Sequence, residues 1–371
     1  MGKKIRADFR KKHETRTREG DLTREFQQEG LEEDTIVRGE RLTGKGELTR
    51  KRTVIADSVE QTGSGESLQL QIDRDACRFG RVLTVHGLTS AVQAEDGTIF
   101  KCAVRRLLKT LSTDQRYVVA PGDRVWFRPE GQSEGFIERV EPRVGELCRT
   151  SKGRRHVIVA NVDQVMIVSS AAEPPLKPNL IDRFLVTAEQ ISIRPLICIN
   201  KVDLVNPADL QPLVGVYGQL GYPVFLVSAR TGRGIEALRR QVIGKQTVVA
   251  GQSGVGKSSL LNAIEPGLDL RVKEISVDTQ KGRHTTTAGR LVPLQAGGYV
   301  VDTPGIRQFQ LWDIIPAEVA GLFRDFRPYV SHCRYPDCTH THEDDCAVKD
   351  AVADGRLDAR RYESYCHMLE E

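Results

Sequence analysis

Long apolar runs are missing from this sequence. No stretch of its 371 residues approaches the ~20 consecutive apolar residues of a membrane-crossing helix, and none follows Met1. These absences argue against a membrane span and a secretory leader, so the expectation is a soluble, cytoplasmic protein. Strong net charge is missing too. The 54 Lys and Arg face 50 Asp and Glu, and the excess of +4 is too small to name a partner. Aromatics make up only 6% and are rarest before about residue 70. That stretch is polar and charged, and it lacks the apolar surface that would drive folding. Residues 1–75 are therefore read as a basic, polar extension, largely disordered, with Gly63-Ser64-Gly65-Glu66 as a linker. Its first residues include Lys3, Lys4, Arg6, Arg10, Lys11, Lys12, Arg16 and Arg18. They suit a phosphate backbone, or equally a solvated disordered segment. Eight cysteines in a chain without a secretory leader are expected to be metal ligands or buried thiols, not disulfides.

What the sequence does contain falls into blocks. Between 76 and about 145 there are five short strand patterns: Arg81–Val85, Ala91–Ala94, Ile99–Val104, Arg124–Phe127 and Gly135–Val140. Glu95-Asp96-Gly97-Thr98 and Pro121-Gly122-Asp123 mark turns between them. Five short strands in so few residues predict a small barrel of the oligonucleotide-binding (OB) kind. Arg105, Arg106, Lys109, Arg124 and Trp126 are candidates for phosphate and base-stacking contacts. By alternation, one of Trp126 and Phe127 must point inward. From about 155, apolar strands alternate with amphipathic helices, which predicts an open, mostly parallel α/β sheet. After about 313 the chain becomes helical and polar around a Cys/His cluster.

Chemistry concentrates in the middle block. Gly251-Gln252-Ser253-Gly254-Val255-Gly256-Lys257-Ser258, with Ser259 after it, follows the strand Thr247–Ala250 and opens a helix. That is the setting of a phosphate-binding loop. Its glycines let backbone N–H groups turn toward phosphate oxygens, Lys257 neutralises phosphate charge, and Ser258 ligates magnesium. Asn200-Lys201-Val202-Asp203 ends another apolar strand. A carboxylate there accepts two hydrogen bonds from guanine, whereas adenine presents the opposite pattern. Asp203 thus argues against an ATP-dependent kinase or transporter ATPase. Ser228-Ala229 ends the strand Val224–Val227 and supplies a second base-contacting loop. Asp302-Thr303-Pro304-Gly305 ends the strand Tyr299–Val301, where Asp302 can hold magnesium through water and Gly305 can sense a γ-phosphate. One hydroxyl of Thr285-Thr286-Thr287 is expected to reach magnesium. The base-reading motifs precede the phosphate loop, the reverse of the ordinary order. The same sheet can be built from a rotated chain if the old termini are joined near Gly244-Lys245-Gln246.

Cys333, Cys338, His340 and Cys346 form C-x4-C-x-H-x5-C. Three thiolates and an imidazole suit a closed, structural zinc site. His332 and His342 lie nearby and rank below His340.

In these motifs, with Gly282-Arg283-His284-Thr285-Thr286-Thr287, the sequence resembles the circularly permuted, small-ribosomal-subunit-dependent GTPases of bacterial ribosome biogenesis. The resemblance covers roughly 76–371. It implies a multidomain chain: an N-terminal OB-fold β-barrel over 76–150, a permuted α/β P-loop GTPase domain over 151–312, and an α-helical zinc-binding domain over 313–371. It further implies GTP/GDP, Mg2+ and one structural Zn2+ as cofactors. It implies late maturation of the small (30S) subunit, binding of its rRNA, other assembly factors as partners, and hydrolysis stimulated by the subunit. A monomer is expected. Many GTPases place a water-orienting glutamine just after D-x-x-G, but Ile306 stands there and cannot do this. His284 is the candidate to orient water instead, and the resemblance points the same way; the alternative is that it contacts RNA or structures its loop. The competing function is a GTP-gated factor acting on another structured RNA.

Overall fold

The structure, a computed structural model, describes residues 3–7, 52–62, 65–70, 72–104, 119–151, 154–268, 289–302 and 315–370. The chain divides into two compact units, Met1–Asp73 and Arg74–Glu371. In the first unit, β1 (Lys3–Ala7), β2 (Arg52–Thr62) and β3 (Gly65–Leu70) form an antiparallel sheet in that order. This differs from the expectation of disorder. The strands coincide with local β-branched sequence, Thr53-Val54-Ile55 and Val59, which suits an extended backbone. Thr62 pairs directly with Gly65, so Gly65 and Glu66 belong to a strand and not to a linker.

The second unit begins with the barrel. Its strands are β4 (Arg78–His86), β5 (Thr89–Ala94), β6 (Ile99–Val104), β7 (Arg124–Glu130) and β8 (Glu134–Val140). They close in the order β4-β5-β6-β8-β7, with β6 and β8 parallel and the other pairs antiparallel. Alternation along β7 sends Val125 and Phe127 into the core and leaves Arg124 and Arg128 exposed. Phe127 is the residue that points inward and meets Phe100 at 5.0 Å between ring centroids, while Trp126 is half-buried outside. Gly80 is required by this closure, since a Cβ there would stand 2.7 Å from the Gln93 carbonyl oxygen. Arg105, Arg106 and Lys109 lie outside the described residues. A hairpin of β9 (Glu146–Ser151) and β10 (Arg154–Ala160) follows and straddles the boundary expected at 150/151.

The α/β layer is a six-stranded sheet of β11 (Gln164–Ser170), β12 (Arg194–Asn200), β13 (Val224–Leu226), β14 (Gln246–Ala250), β15 (Arg290–Pro293) and β16 (Tyr299–Asp302). The order in space is β13-β12-β11-β14-β16-β15, parallel except for β15. Central β11 is buried on both faces, as its unbroken apolar run requires. Val165 and Ile167 join one core with α1 (Pro178–Gln190) and α2 (Gln211–Gln219). Met166 and Val168 join the other core with α3 (Ile235–Val242) and α4 (Lys257–Ile264).

Among the described residues after 302 there are four helices: α5 (Pro316–Leu322), α6 (Arg327–Val330), α7 (Ala347–Ala353) and α8 (Ala359–Glu370). Phe323, Phe326 and Tyr365 form their aromatic core, which also takes in Val186 of α1. At this junction Arg361 is 2% exposed and lies between Asp182 of α1, itself fully buried, and Asp325. The Tyr217 hydroxyl donates to the same Asp182 oxygen at 2.8 Å. Burial pushes the Asp182 carboxyl above its ordinary range, and the facing Arg361 guanidinium opposes that shift.

Candidate nucleotide and metal sites

Parallel strands deliver their carboxyl ends to one edge of the sheet, and three of the sequence motifs meet there. Ser170 of β11 is level with Asn200 of β12, and Ile167 is level with Ala250, so β12 and β14 release their loops side by side. The loop after β14 is built on glycines. Gly251 has φ 141°, and a Cβ on it would stand 2.1 Å from the Val168 carbonyl oxygen. Gly256 has φ 90°, and its Cβ would stand 2.5 Å from Asn200 Nδ2. Only glycine meets both demands. Gly256 caps α4, whose first N–H groups have no intrahelical partner and suit an anion. Lys257 curls over the loop, with Nζ donating to the carbonyls of Gly251 at 2.8 Å and Gln252 at 2.7 Å. Ser258 and Ser259 follow in the first turn of α4. The Val255 and Val202 side chains lie in the cores, so these motif positions contribute backbone only.

Asn200 ties the loops together. Its Nδ2 donates to the Val255 carbonyl at 3.0 Å, and its Oδ1 accepts from the Ala229 N–H at 3.1 Å. Both partners are backbone atoms, so a buried amide crosslinks the base-reading, Ser-Ala and phosphate loops. Lys201 adopts the left-handed conformation at φ 62° and donates from Nζ to Gly254 O at 2.9 Å and to Glu173 O. Asp203 accepts from Ser228 Oγ at 2.5 Å and pairs with Arg230 at 2.7 Å. The Ser228 hydrogen bond is the main reason the Asp203 carboxyl lies below its ordinary range, which keeps it an ionised acceptor. Glu173 and Pro174 have no signature in the sequence and are brought to these loops by folding, which also sets Arg230, the residue after Ser228-Ala229, on Asp203. Asp302 ends β16, beside the phosphate-loop strand. His284, Thr285, Thr286, Thr287 and Gly305 lie outside the described residues, as does the Asp302 side chain.

The Cys333, Cys338, His340 and Cys346 ligand atoms all fall within 4.8 Å of one another. Cys333 Sγ lies 3.4 Å from His340 Nδ1 and 3.9 Å from Cys346 Sγ, and Cys346 Sγ lies 3.5 Å from the same nitrogen. Metal bonds of ~2.3 Å to sulfur and ~2.0–2.1 Å to nitrogen give tetrahedral edges of about 3.8 Å for S–S and about 3.6 Å for S–N. The residues therefore fit a four-coordinate ion. His340 reaches the cluster through a left-handed backbone at φ 60°. Burial lowers its pKa and favours the neutral imidazole that a metal needs. Tyr362 and Tyr365 donate to the carbonyls of His340 at 2.8 Å and Thr339 at 2.7 Å, fixing the ligand turn. His332 and His342 are exposed and outside the cluster.

Residues 140–312 match the RsgA GTPase family. The small ribosomal subunit biogenesis GTPase RsgA of Ectopseudomonas mendocina is 41% identical over 316 residues, 84% of this chain and 89% of that protein. The crystal structure of YjeQ from Thermotoga maritima superposes with a TM-score of 0.66 at 38% identity, over 79% of this chain and 98% of that one. YloQ, described as a circularly permuted GTPase, gives 0.63 at 31% identity over 81% and 96%. Here too β12 and β13, which lead into the Asn200–Asp203 and Ser228–Ala229 motifs, come before β14, which leads into the glycine-rich loop, and all three lie in one open sheet. The chain belongs to the RsgA family of circularly permuted, GTP-hydrolysing enzymes.

Proposed function

We propose that this GTPase acts in maturation of the small ribosomal subunit, binding its rRNA and hydrolysing GTP when the subunit stimulates it. The names of its relatives support the role. The observation that supports the site assignment is the Asn200 crosslink, because it ties the loops after β12, β13 and β14 to one another. Asp203 reads the guanine edge, with Ser228 and Ala229 beneath it. Residues 251–259 cradle the phosphates with backbone N–H groups, and Lys257 turns from the loop carbonyls to phosphate oxygens. Ser258, one threonine of 285–287 and Asp302 hold Mg2+, whose charge would offset that developing on the phosphates. Gly305 senses the γ-phosphate. His284 orients the attacking water once the subunit orders its loop; a His284→Ala protein with full stimulated turnover would remove that role. Zn2+ on Cys333, Cys338, His340 and Cys346 is structural, supported by ligand spacings that match tetrahedral edges. The domains are assigned as 76–150, 151–312 and 313–371, with 1–75 as an extension. Among the described residues no helix is long and apolar enough to cross a membrane; the protein is assigned to the cytoplasm, where its small-subunit partner is, and taken to act as a monomer. The deciding experiment is GTP turnover measured alone and with each purified ribosomal subunit. A large rise is expected with small subunits only. An equal rise with unrelated structured RNA would favour a general RNA-gated factor instead.

A further inference from the structure

One groove on the barrel has the makings of a second base-recognition site. Its volume is about 440 Å³, and Cys77, Arg78, Phe79, Glu95 and Trp126 line it. That size falls within the range of small-molecule sites, about 300–1,000 Å³. Its aromatic wall is preformed. Phe79 on β4 and Trp126 on β7 face each other across the ladder, with ring centroids 5.3 Å apart. Because Phe127 fills the core, Trp126 is left half-buried with its ring toward the groove. The Arg74 guanidinium lies 5.8 Å from the Trp126 ring centroid and is exposed, within reach of a phosphate attached to a stacked base.

The two acids of the neighbouring turn differ in state. Asp96 is held by Arg78 of β4 at 2.5 Å and, within the turn, by the Thr98 N–H at 2.9 Å. Glu95 is exposed, lines the groove, and has no ion-pair or hydrogen-bond partner among the described residues. An aromatic wall, a neighbouring cation and an unengaged carboxylate suit a nucleobase that offers donors along its edge. Guanine presents two adjacent donors, N1–H and its exocyclic amine, to both carboxylate oxygens. Adenine and cytosine offer one amine beside a repelling acceptor, and uracil offers one N–H between two carbonyls.

We propose that this groove binds one unstacked guanine of an RNA strand, stacked on Trp126 and read by Glu95. The inference rests on the barrel being an RNA-binding element and names the base and the residues that take it.

The test uses the full chain with saturating GDP and magnesium, so that the nucleotide pocket is filled. Labelled pentaribonucleotides UUGUU, UUAUU, UUCUU and UUUUU are titrated by fluorescence anisotropy. UUGUU is expected to bind about ten-fold tighter than the others. Glu95→Gln should erase that preference. Trp126→Ala should weaken every oligonucleotide about ten-fold or more, and Trp126→Phe should restore most of the binding. Thermal unfolding of each variant separates a lost contact from a lost fold. A 6-thioguanosine at the central position should crosslink to the peptide containing Trp126 or Phe79. Equal affinity for guanine and adenine, no saturable binding, or a crosslink elsewhere would each overturn the assignment. Subunit-stimulated GTP turnover of the unaltered protein is read in parallel. If stimulation persists without base preference, only the groove assignment falls. If guanine preference persists without stimulation, the groove stands and the ribosomal role falls.

Discussion

Substituting Arg361 by alanine should loosen the Cys/His domain from the GTPase sheet. Arg361 is 2% exposed, contacts Asp182 and accepts no compensation from solvent. It also donates to both Asp325 oxygens, at 3.0 and 2.9 Å. Removing it leaves two carboxylates facing an emptied, buried space. Breaking a buried pair this way costs about 3–5 kcal/mol, or roughly 10²–10⁴ in the equilibrium between docked and undocked domain. The cost should depend on pH with a definite sign. Burial already raises the Asp182 pKa in the folded protein. A carboxyl raised in this way opposes folding once pH exceeds its unfolded value, and the penalty grows until the folded pKa is passed. Loss of Arg361 raises it further, so the variant should be weakest at neutral pH and recover as pH falls toward the unfolded carboxylate value of about 3.9. Hydrogen exchange of the α1 and α8 amides, measured between pH 5 and 8, reports the docking equilibrium. Protection within ten-fold of the unaltered protein at pH 7.5, or a deficit that grows on acidification, would refute this account of the junction.

Other outcomes follow from the two sites. Asp203→Asn replaces one acceptor oxygen by a donor, and guanine affinity should fall by about 10³-fold or more by nucleotide competition, because buried donors of the base are then left unmatched. Gly256→Ala should cost more in nucleotide binding than an ordinary surface change, since its Cβ would stand 2.5 Å from the Asn200 amide that joins the loops; calorimetry with GDP checks this. Stripping metal with a chelator should unfold residues 333–346 first, seen as lost exchange protection around α7, and zinc should restore it. Equal protection with and without metal would argue against a structural site.

Much of the site was legible because its parts are local. A phosphate loop needs glycines at fixed offsets from a lysine, and four metal ligands need only short spacings, so both patterns survive in one dimension. The five barrel strands were legible through alternation, and alternation also required that one of Trp126 and Phe127 face inward. Harder to read were β15 and the β9–β10 hairpin, which pair with sequence neighbours but carry charged residues such as Arg149, Arg154, Arg155 and Arg290 that interrupt the apolar pattern. So was the sheet of residues 3–7, 52–62 and 65–70, where sparse aromatics suggested disorder although β-branched residues favour strands.

By itself the sequence determined the chemistry: which backbone can wrap a phosphate, which carboxylate can read guanine, which side chains can hold zinc, and that the motif order is rotated. These depend on residue type and spacing. Only the tertiary structure decided which groups share a place. It set Asn200 as the tie between three loops, put Arg230 on Asp203, and buried Arg361 between acids 179 and 36 residues away in the chain. Such contacts arise from packing elements far apart in sequence, and no local pattern encodes their distance.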